Sequence, residues 1–103
     1  MNDTIIRGTT PTFQINLDFD STLIKTFFIT FVQNDEVVIE KDLSSADIKH
    51  DTIAVKLTQE ETLALDDTKS LKVQVRVKLR DETAFANEIE NIKVGSILKD
   101  GEI

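Results

Sequence analysis

Apolar and polar residues alternate along much of the chain, and the alternation is clearest in two segments. Every second side chain is apolar from Thr12 to Phe19, and the same period of two recurs without a break from Leu71 to Arg80. Successive side chains of a β-strand point to opposite faces, whereas a helix repeats about every 3.6 residues. Both segments are therefore predicted to be strands with one buried face and one wetted face.

Shorter segments of strand-like composition fill most of the remaining chain, and turn-forming residues separate them. These weaker strands are predicted at 4–7, 25–33, 36–41, 46–49, 52–57 and 83–94. Seven or eight short strands with turn signals about every 8–12 residues are typical of an antiparallel β-sandwich. The predicted core consists of Phe13, Ile15, Leu17, Phe27, Ile29, Phe31, Val55, Leu57, Val73, Val75, Val77 and Ile89.

One short segment, residues 59–65, has a helical signature instead. Thr58 and Glu61 have the spacing of a capping box, in which the hydroxyl accepts from the Glu61 N–H and the carboxylate accepts from the Thr58 N–H. A helix this short is unstable alone, so a single turn held by Leu63 and Leu65 is predicted. Its place between two strands resembles the immunoglobulin-like layout, in which the chain crosses there from one sheet to the other.

The register of the last hairpin is predicted from the direction in which side chains face. Arg76 opposite Glu88 would align the apolar side chains on one face and the charged ones on the other. The loop would then hold an odd number of residues centred on Glu82, because a two-residue turn requires φ > 0 at both positions. In this register Glu88 and Glu90 neutralise a basic row on the neighbouring strand. That row is Lys72, Arg76, Lys78 and Arg80.

The strand at 25–33 departs from simple alternation, because Phe28 and Val32 place apolar side chains on what should be its wetted face. Two interpretations are open. Either the C-terminal segment 94–103 or a loop folds over that face, or Phe28, Val32 and Val38 form an association surface in a larger assembly. Exposed apolar patches on soluble proteins often mark such interfaces.

Composition narrows the classes of function. A chain of 103 residues with 40% hydrophobic and 30% charged residues is predicted to form one domain, residues 1–103. The net charge of −7 repels nucleic acid and anionic membranes, so neither is a predicted partner. No apolar run is long enough to span a membrane, and the N-terminus lacks the basic and apolar regions of a signal peptide. Without cysteine the chain has no disulfide framework.

No pattern of residues indicates a catalytic or metal site, so no catalytic, cofactor or metal-binding residue is predicted. The single histidine, His50, stands beside Asp51 in a polar turn, where a catalytic pair would still need a nucleophile. Calcium would need an oxygen-rich cage, and the two pairs of nearby aspartates that could contribute to one do not have EF-hand spacing. Those pairs are Asp18 with Asp20 and Asp66 with Asp67.

Four segments carry a resemblance that spans nearly the whole chain: IIRGTTPTFQINLDFD, KLTQEETLAL, VQVRVKLRDETAFANEI and VGSILKDGEI. Together they resemble small immunoglobulin-like β-sandwich proteins of phages and prophages of Gram-positive bacteria, similar to the N-terminal domains of phage baseplate upper proteins. The resemblance departs at Glu82, where a turn glycine is expected after Asp81.

The resemblance implies a non-enzymatic structural or interaction module of a virion or its assembly. It further implies protein partners, either other virion proteins or a second copy, and synthesis in the bacterial cytoplasm without a signal peptide before incorporation in a virion. The alternative is a ligand-binding module for glycan or calcium that uses the acidic loops at one end of the sandwich. An enzyme ranks third, because no acidic pair is placed together by the sequence.

Overall fold

Alternating segments form strands throughout the structure, a computed structural model that describes residues 4–103. The strands are β1 Thr4–Ile6, β2 Thr12–Asn16, β3 Ile24–Gln33, β4 Glu36–Asp42, β5 Ala46–Ile48, β6 Thr52–Lys56, β7 Leu71–Leu79, β8 Ala84–Ala86 and β9 Glu90–Gly95. The helix α1 spans Gln59–Leu63, and short 3₁₀ turns cover Ser21–Leu23 and Leu43–Ser45.

The strands form two sheets. The large sheet has the order β1-β9-β7-β3-β4, with β8 also paired to β7, and the small sheet has the order β2-β6-β5. β1 pairs with β9 in parallel, and the other pairings within residues 4–103 are antiparallel. The predicted two-sheet β-sandwich is thus confirmed.

The core lies between the inner faces of the two sheets. Phe13 of the small sheet meets Phe31 of the large sheet edge to face, with ring centroids 5.3 Å apart. Most of the predicted core residues are buried, whereas Ile15 and Leu17 are only partly buried and Ile89 is exposed. The full buried apolar set is Ile5, Phe13, Ile24, Phe27, Ile29, Phe31, Ile39, Ile53, Val55, Leu57, Leu65, Leu71, Val73, Val75, Val77, Ile92 and Val94.

The predicted capping box begins α1. The Glu61 N–H donates to Thr58 Oγ1 at 3.1 Å, and the Thr58 N–H donates to Glu61 Oε1 at 2.8 Å. The helix carries the chain from β6 in the small sheet to β7 in the large sheet, as predicted. The buried Leu65 holds the end of this crossing in the core, whereas Leu63 is only partly buried.

Polar contacts that the sequence pattern did not predict also hold α1. Thr62 is fully buried, and its hydroxyl donates to the carbonyl oxygen of Thr9 at 2.8 Å. The Arg7 Nη2 donates to the carbonyl oxygen of Leu63 at 2.7 Å, which satisfies an acceptor at the helix C-terminus. The helix is therefore tied to the bend that follows β1.

The two hairpins of the large sheet use different turns. Asn34 and Asp35 form a two-residue connection between β3 and β4, with φ of 52° and 61°. Positive φ at both positions is the type I′ geometry that suits the twist of paired strands, and Asn and Asp tolerate it. Asn34 and Asp35 are thus turn-forming residues that separate the predicted strands 25–33 and 36–41.

The predicted register of the second hairpin was wrong by two residues. Arg76 pairs with Ala86 rather than with Glu88, so Glu88 cannot neutralise the basic row in the way predicted. A shift of two residues keeps every side chain on its predicted face, because the period of a strand is also two. The two registers therefore place the same side chains on each face, and side-chain facing does not distinguish them.

The loop of this hairpin has an odd number of residues, as predicted, but it is centred on Asp81. The Leu79 N–H donates to the Thr83 carbonyl oxygen at 2.8 Å, which leaves residues 80–82 in the loop. Glu82 has φ of 74°, a conformation in which glycine is the usual residue. Its carboxylate lies 2.7 Å from the ammonium of Lys25 and 2.6 Å from that of Lys78.

The predicted strand at 83–94 is split into β8 and β9 by Asn87. The Val75 N–H donates to Asn87 Oδ1 at 2.8 Å, so a side-chain oxygen replaces the backbone carbonyl that would continue the ladder. The split gives nine strands within residues 4–103, where seven or eight were predicted.

Candidate interaction surface

The outer face of the large sheet, which points away from the small sheet, carries an apolar cluster. We call this cluster the outer patch, formed by Phe28 and Val32 of β3 and Val37 and Val38 of β4. Phe28 is 39% exposed, Val37 60% and Val38 42%, while Val32 is partly exposed. The three residues predicted from the sequence therefore lie on the same exposed face, with Thr30 between Phe28 and Val32.

Sequence reasoning missed Val37. The register of β3 against β4 shifts between Phe31 and Val32, so that Phe31 pairs with Ile39 and Val32 pairs with Val37. Val38 is the extra residue of this bulge. A run of two valines gave no sign of which one lies opposite Val32, and only the bulge decides it.

The C-terminal segment does not cover the outer patch, so that interpretation was wrong. Ile97 lies beside Gly8 and Leu63, and the Ile103 N–H donates to Gln59 Oε1 at 2.9 Å. The segment therefore runs toward α1 and does not cross the outer face of β3 and β4. No other loop within residues 4–103 removes Phe28 or the two valines of β4 from solvent.

Charged side chains of opposite sign flank the outer patch. On β4, Asp42 pairs with Phe28 and Glu40 pairs with Thr30; we call these two acids the acidic column. On β7, Arg76 pairs with Phe28 from the other side. Lys72 pairs with Val32 in the same way, and Arg76 and Lys72 form the basic column. Adjacent strands lie about 4.8 Å apart, so the columns are about 10 Å apart across β3.

The basic column is not neutralised by β8 or β9. Arg76 faces Ala86, and Lys72 faces Asn91. Neither side chain forms a salt bridge within residues 4–103. Lys78 differs, because its ammonium is engaged by Glu82. The prediction of a paired, neutral sheet face was therefore wrong for the two residues nearest the outer patch.

The acidic loops act as turn caps. Asp20 accepts from both the N–H and the hydroxyl of Thr22, each at 2.9 Å, and Asp66 accepts from the Thr68 N–H at 2.8 Å. The hydrogen bonds from Thr22 hold the pKa of Asp20 below its ordinary value, and those from Thr68 do the same for the pKa of Asp66. The same Asp-x-Ser/Thr arrangement recurs in Asp42 with Ser44 and Asp81 with Thr83.

Neither the acidic loops nor the histidine belongs to a metal-binding cluster in the described chain. Within residues 4–103, no three His, Cys, Asp or Glu side chains are grouped so that they could hold a metal ion. His50 Nδ1 lies 3.0 Å from Asp20 Oδ2, so its partner is Asp20 and not Asp51. In the same range, no helix is long and apolar enough to cross a membrane.

An apolar groove opens at one side of the sandwich, between the loop that follows β2 and strand β8. Its volume is about 380 Å³, and Val75 and Val77 line it. The rings of Phe19 and Phe85 stack at its mouth with centroids 6.0 Å apart. Phe85 pairs with Val77, and not with Leu79 as the predicted register required.

Comparisons with known proteins identify the fold. No protein-family model and no curated protein matched the chain. Among solved structures, the chain is similar to a strand-swapped dimer of the extracellular domain of mouse leukocyte-associated immunoglobulin-like receptor 1. The TM-score is 0.51 at 11% identity, over 88% of this chain and 84% of that chain. A second strand-swapped dimer of the immunoglobulin-like domain of that receptor gives a TM-score of 0.49 at 9% identity, over 90% and 88% of the chains. The first likeness confirms the predicted immunoglobulin-like fold, and at this identity it shows the fold alone.

Proposed function

We propose that this protein is a non-enzymatic structural or protein-interaction module of a phage or prophage, and that it acts through the outer patch. The phage context rests on the resemblance of its sequence segments. The observation that carries the interaction role is the placement of Phe28, Val32, Val37 and Val38 on one exposed sheet face that also holds the acidic column on β4 and the basic column on β7. Exposed apolar patches on soluble proteins often mark interaction sites.

The energetic reason is the cost of hydrating these side chains. Burying a Val or Phe side chain completely contributes about 1.5–3 kcal/mol, and these side chains are already partly buried in the sheet. Covering the outer patch would therefore contribute several kcal/mol, before the loss of translational and rotational freedom is subtracted. This suits an interface that forms within an assembly, where other contacts hold the partners together.

The carboxylates support a non-enzymatic role. Asp20, Asp42, Asp66 and Asp81 each accept hydrogen bonds from the turn that they begin, so their role is accounted for locally. A pair of carboxylates placed for acid–base chemistry would instead need environments that drive their pKa values apart.

Particle composition tests the phage role. Particles released from a lysogen that carries the gene should contain the chain at a constant ratio to the other structural proteins, as measured by quantitative mass spectrometry. The double variant Phe28→Ser, Val32→Ser should be folded but depleted from the particles. The variant Ile48→Ser is the matched control, because Ile48 is 44% exposed but lies in the small sheet. Recovery of the chain only outside the particles would refute the virion role.

The ligand-binding alternative has less support, because the acidic loops are occupied by turn hydrogen bonds. Calcium nevertheless gives a simple test. A site with a Kd of about 0.1 mM would raise the free energy of unfolding by about 2 kcal/mol at about 5 mM calcium. We expect no change in the thermal midpoint on adding calcium, and a clear increase would favour the alternative.

A further inference from the structure

We propose that the outer patch binds a second copy of this chain, face to face, about a two-fold axis parallel to β3. The inference rests on the proposed interaction role and names the partner for it. The observation behind it is the order of chemistry across the outer face, with the acidic column on β4, an apolar centre on β3 and the basic column on β7.

This order is self-complementary under one operation. A two-fold axis parallel to β3 turns the second copy over and exchanges the two sides of β3 while it keeps the strand direction. The β4 strand of each copy then lies over the β7 strand of the other. Asp42 of each copy faces Arg76 of the other, and Glu40 faces Gln74, because each pair shares a row of the sheet. A two-fold interface uses the same patch on both copies.

Phe28 and Val32, the two residues of the outer patch on β3, lie on the axis on either side of Thr30. Phe28 lies over Phe28 and Val32 over Val32 of the second copy, while Val37 of each copy lies over the aliphatic part of Lys72 of the other, because Val37, Val32 and Lys72 share a row. The strand axes of the two sheets stay roughly aligned, which is the usual geometry of stacked β-sheets. Ala84 and Ala86 lie beside the basic column in β8, and their small side chains leave room for the second copy.

Two other arrangements place like charges together. An axis in the plane of the sheet but across the strands sets β4 over β4, with acids facing acids. Antiparallel pairing of two β4 edges brings Glu36, Glu40 and Asp42 of both copies to one seam, and the bulge at Val38 disturbs that edge further. Like charges directly opposite each other disfavour both arrangements.

Sedimentation velocity of the full chain tests the proposal. Three strands give a contact at the small end of protein interfaces, so dimers should form between about 10 µM and 1 mM protein. Raising NaCl from about 50 mM to about 500 mM should weaken them, because salt screens exposed charges. The Phe28→Ser, Val32→Ser variant should lose the dimer, whereas Ile48→Ser should keep it.

A charge exchange tests the axis itself. Asp42→Lys places lysine against Arg76, and Arg76→Asp places aspartate against Asp42, so each variant alone should associate at least about ten-fold more weakly. An equal mixture of the two should form heterodimers at the strength of the original protein, because both contacts are then restored. Asp42→Asn, which keeps an oxygen that can accept from the Ser44 N–H, controls for loss of the cap.

A cross-link keeps the test decisive if Asp42→Lys fails to fold. The chain has no cysteine, so a single Thr30→Cys variant places one thiol in the middle row beside the axis. A short bis-maleimide should join two copies of this variant but not two copies of Ile48→Cys. A monomer at every concentration, or failure of the folded charge variants to restore each other, would overturn the self-association. Incorporation of the chain in particles despite that result would preserve the proposed function with a different partner.

Discussion

Replacing Gln33 by leucine should destabilise the protein, because this side chain holds a loop that lies 33 to 36 residues further along the chain. Gln33 is only 5% exposed at the end of β3. Its Nε2 donates to the carbonyl oxygens of Asp66 at 2.8 Å and Lys69 at 3.2 Å, and its Oε1 accepts from the Asp66 N–H at 2.9 Å. The amide thus satisfies three backbone groups between α1 and β7.

The expected magnitude follows from these three hydrogen bonds. Each contributes about 0.5–1.5 kcal/mol net, so together they are worth about 3 kcal/mol. Burial of the more apolar leucine side chain offsets about 1 kcal/mol of this loss in the free energy of unfolding. The free energy of unfolding should therefore fall by about 2 kcal/mol, which corresponds to a thermal midpoint about 8–16 °C lower for a domain of this size.

Urea and thermal unfolding monitored by circular dichroism measure this change. Gln14→Leu is the matched control, because Gln14 is exposed and, within residues 4–103, its amide reaches only Asn16, at 3.3 Å. The control should change stability by no more than about 0.5 kcal/mol. A Gln33→Leu protein as stable as the original would show that the buried amide does not hold the loop and that its three hydrogen bonds add no net stability.

Three further changes test other parts of the fold. Lys41→Met breaks a partly buried ion pair, in which Lys41 Nζ lies 2.6 Å from Glu61 Oε2 and the two side chains are 15% and 26% exposed. A double-mutant cycle with Glu61→Gln, measured by urea unfolding, should give a coupling energy of about 1 kcal/mol. A coupling energy of zero would contradict a stabilising ion pair. Glu82→Gln should lower the thermal midpoint at pH 7 but not near pH 2. Hydrogen bonds from Lys25 and Lys78 lower the pKa of Glu82 to about 2, below its value of 4.5 when unpaired. The contribution of the Glu82 carboxylate to stability is therefore present above pH 4.5 and is lost as the pH falls toward 2. A constant difference across that range would refute this assignment. Gly8→Ala should lower the free energy of unfolding by about 1 kcal/mol or more, because φ at Gly8 is 76° and a Cβ would lie 3.3 Å from Leu63 Cδ2. An unchanged thermal midpoint would show that the turn accommodates alanine without strain.

The alternation of the sequence determined the fold class, because each strand must bury one face. The period of two placed Phe13, Phe31 and Val73 in the core before any pairing was known. The capping box at Thr58 and Glu61 was equally local, since both partners lie within one helical turn. Features set by a few neighbouring residues can be read from sequence without knowing the tertiary structure.

Tertiary structure alone decided the pairing across the sheet. Arg76 opposite Ala86 and Arg76 opposite Glu88 place the same side chains on the same face, so facing cannot choose between them. In the observed register the Asn87 side chain takes the hydrogen bond from the Val75 N–H, and the strand is interrupted there. The same register leaves the basic column unpaired, and the proposed self-association depends on this result.

Long-range polar contacts also could not be predicted from the sequence. Nothing near Gln33 in the chain indicates that its amide is buried against residues 66–69, and an acidic residue in a loop looks the same whether it binds an ion or caps a turn. The outer patch shows both limits. Its apolar residues Phe28, Val32 and Val38 were found by their break in alternation, whereas Val37 and the flanking charges were placed by a bulge and a register. Hydrophobic period is a property of one strand, but register is a property of two strands held at a particular offset by all their neighbours.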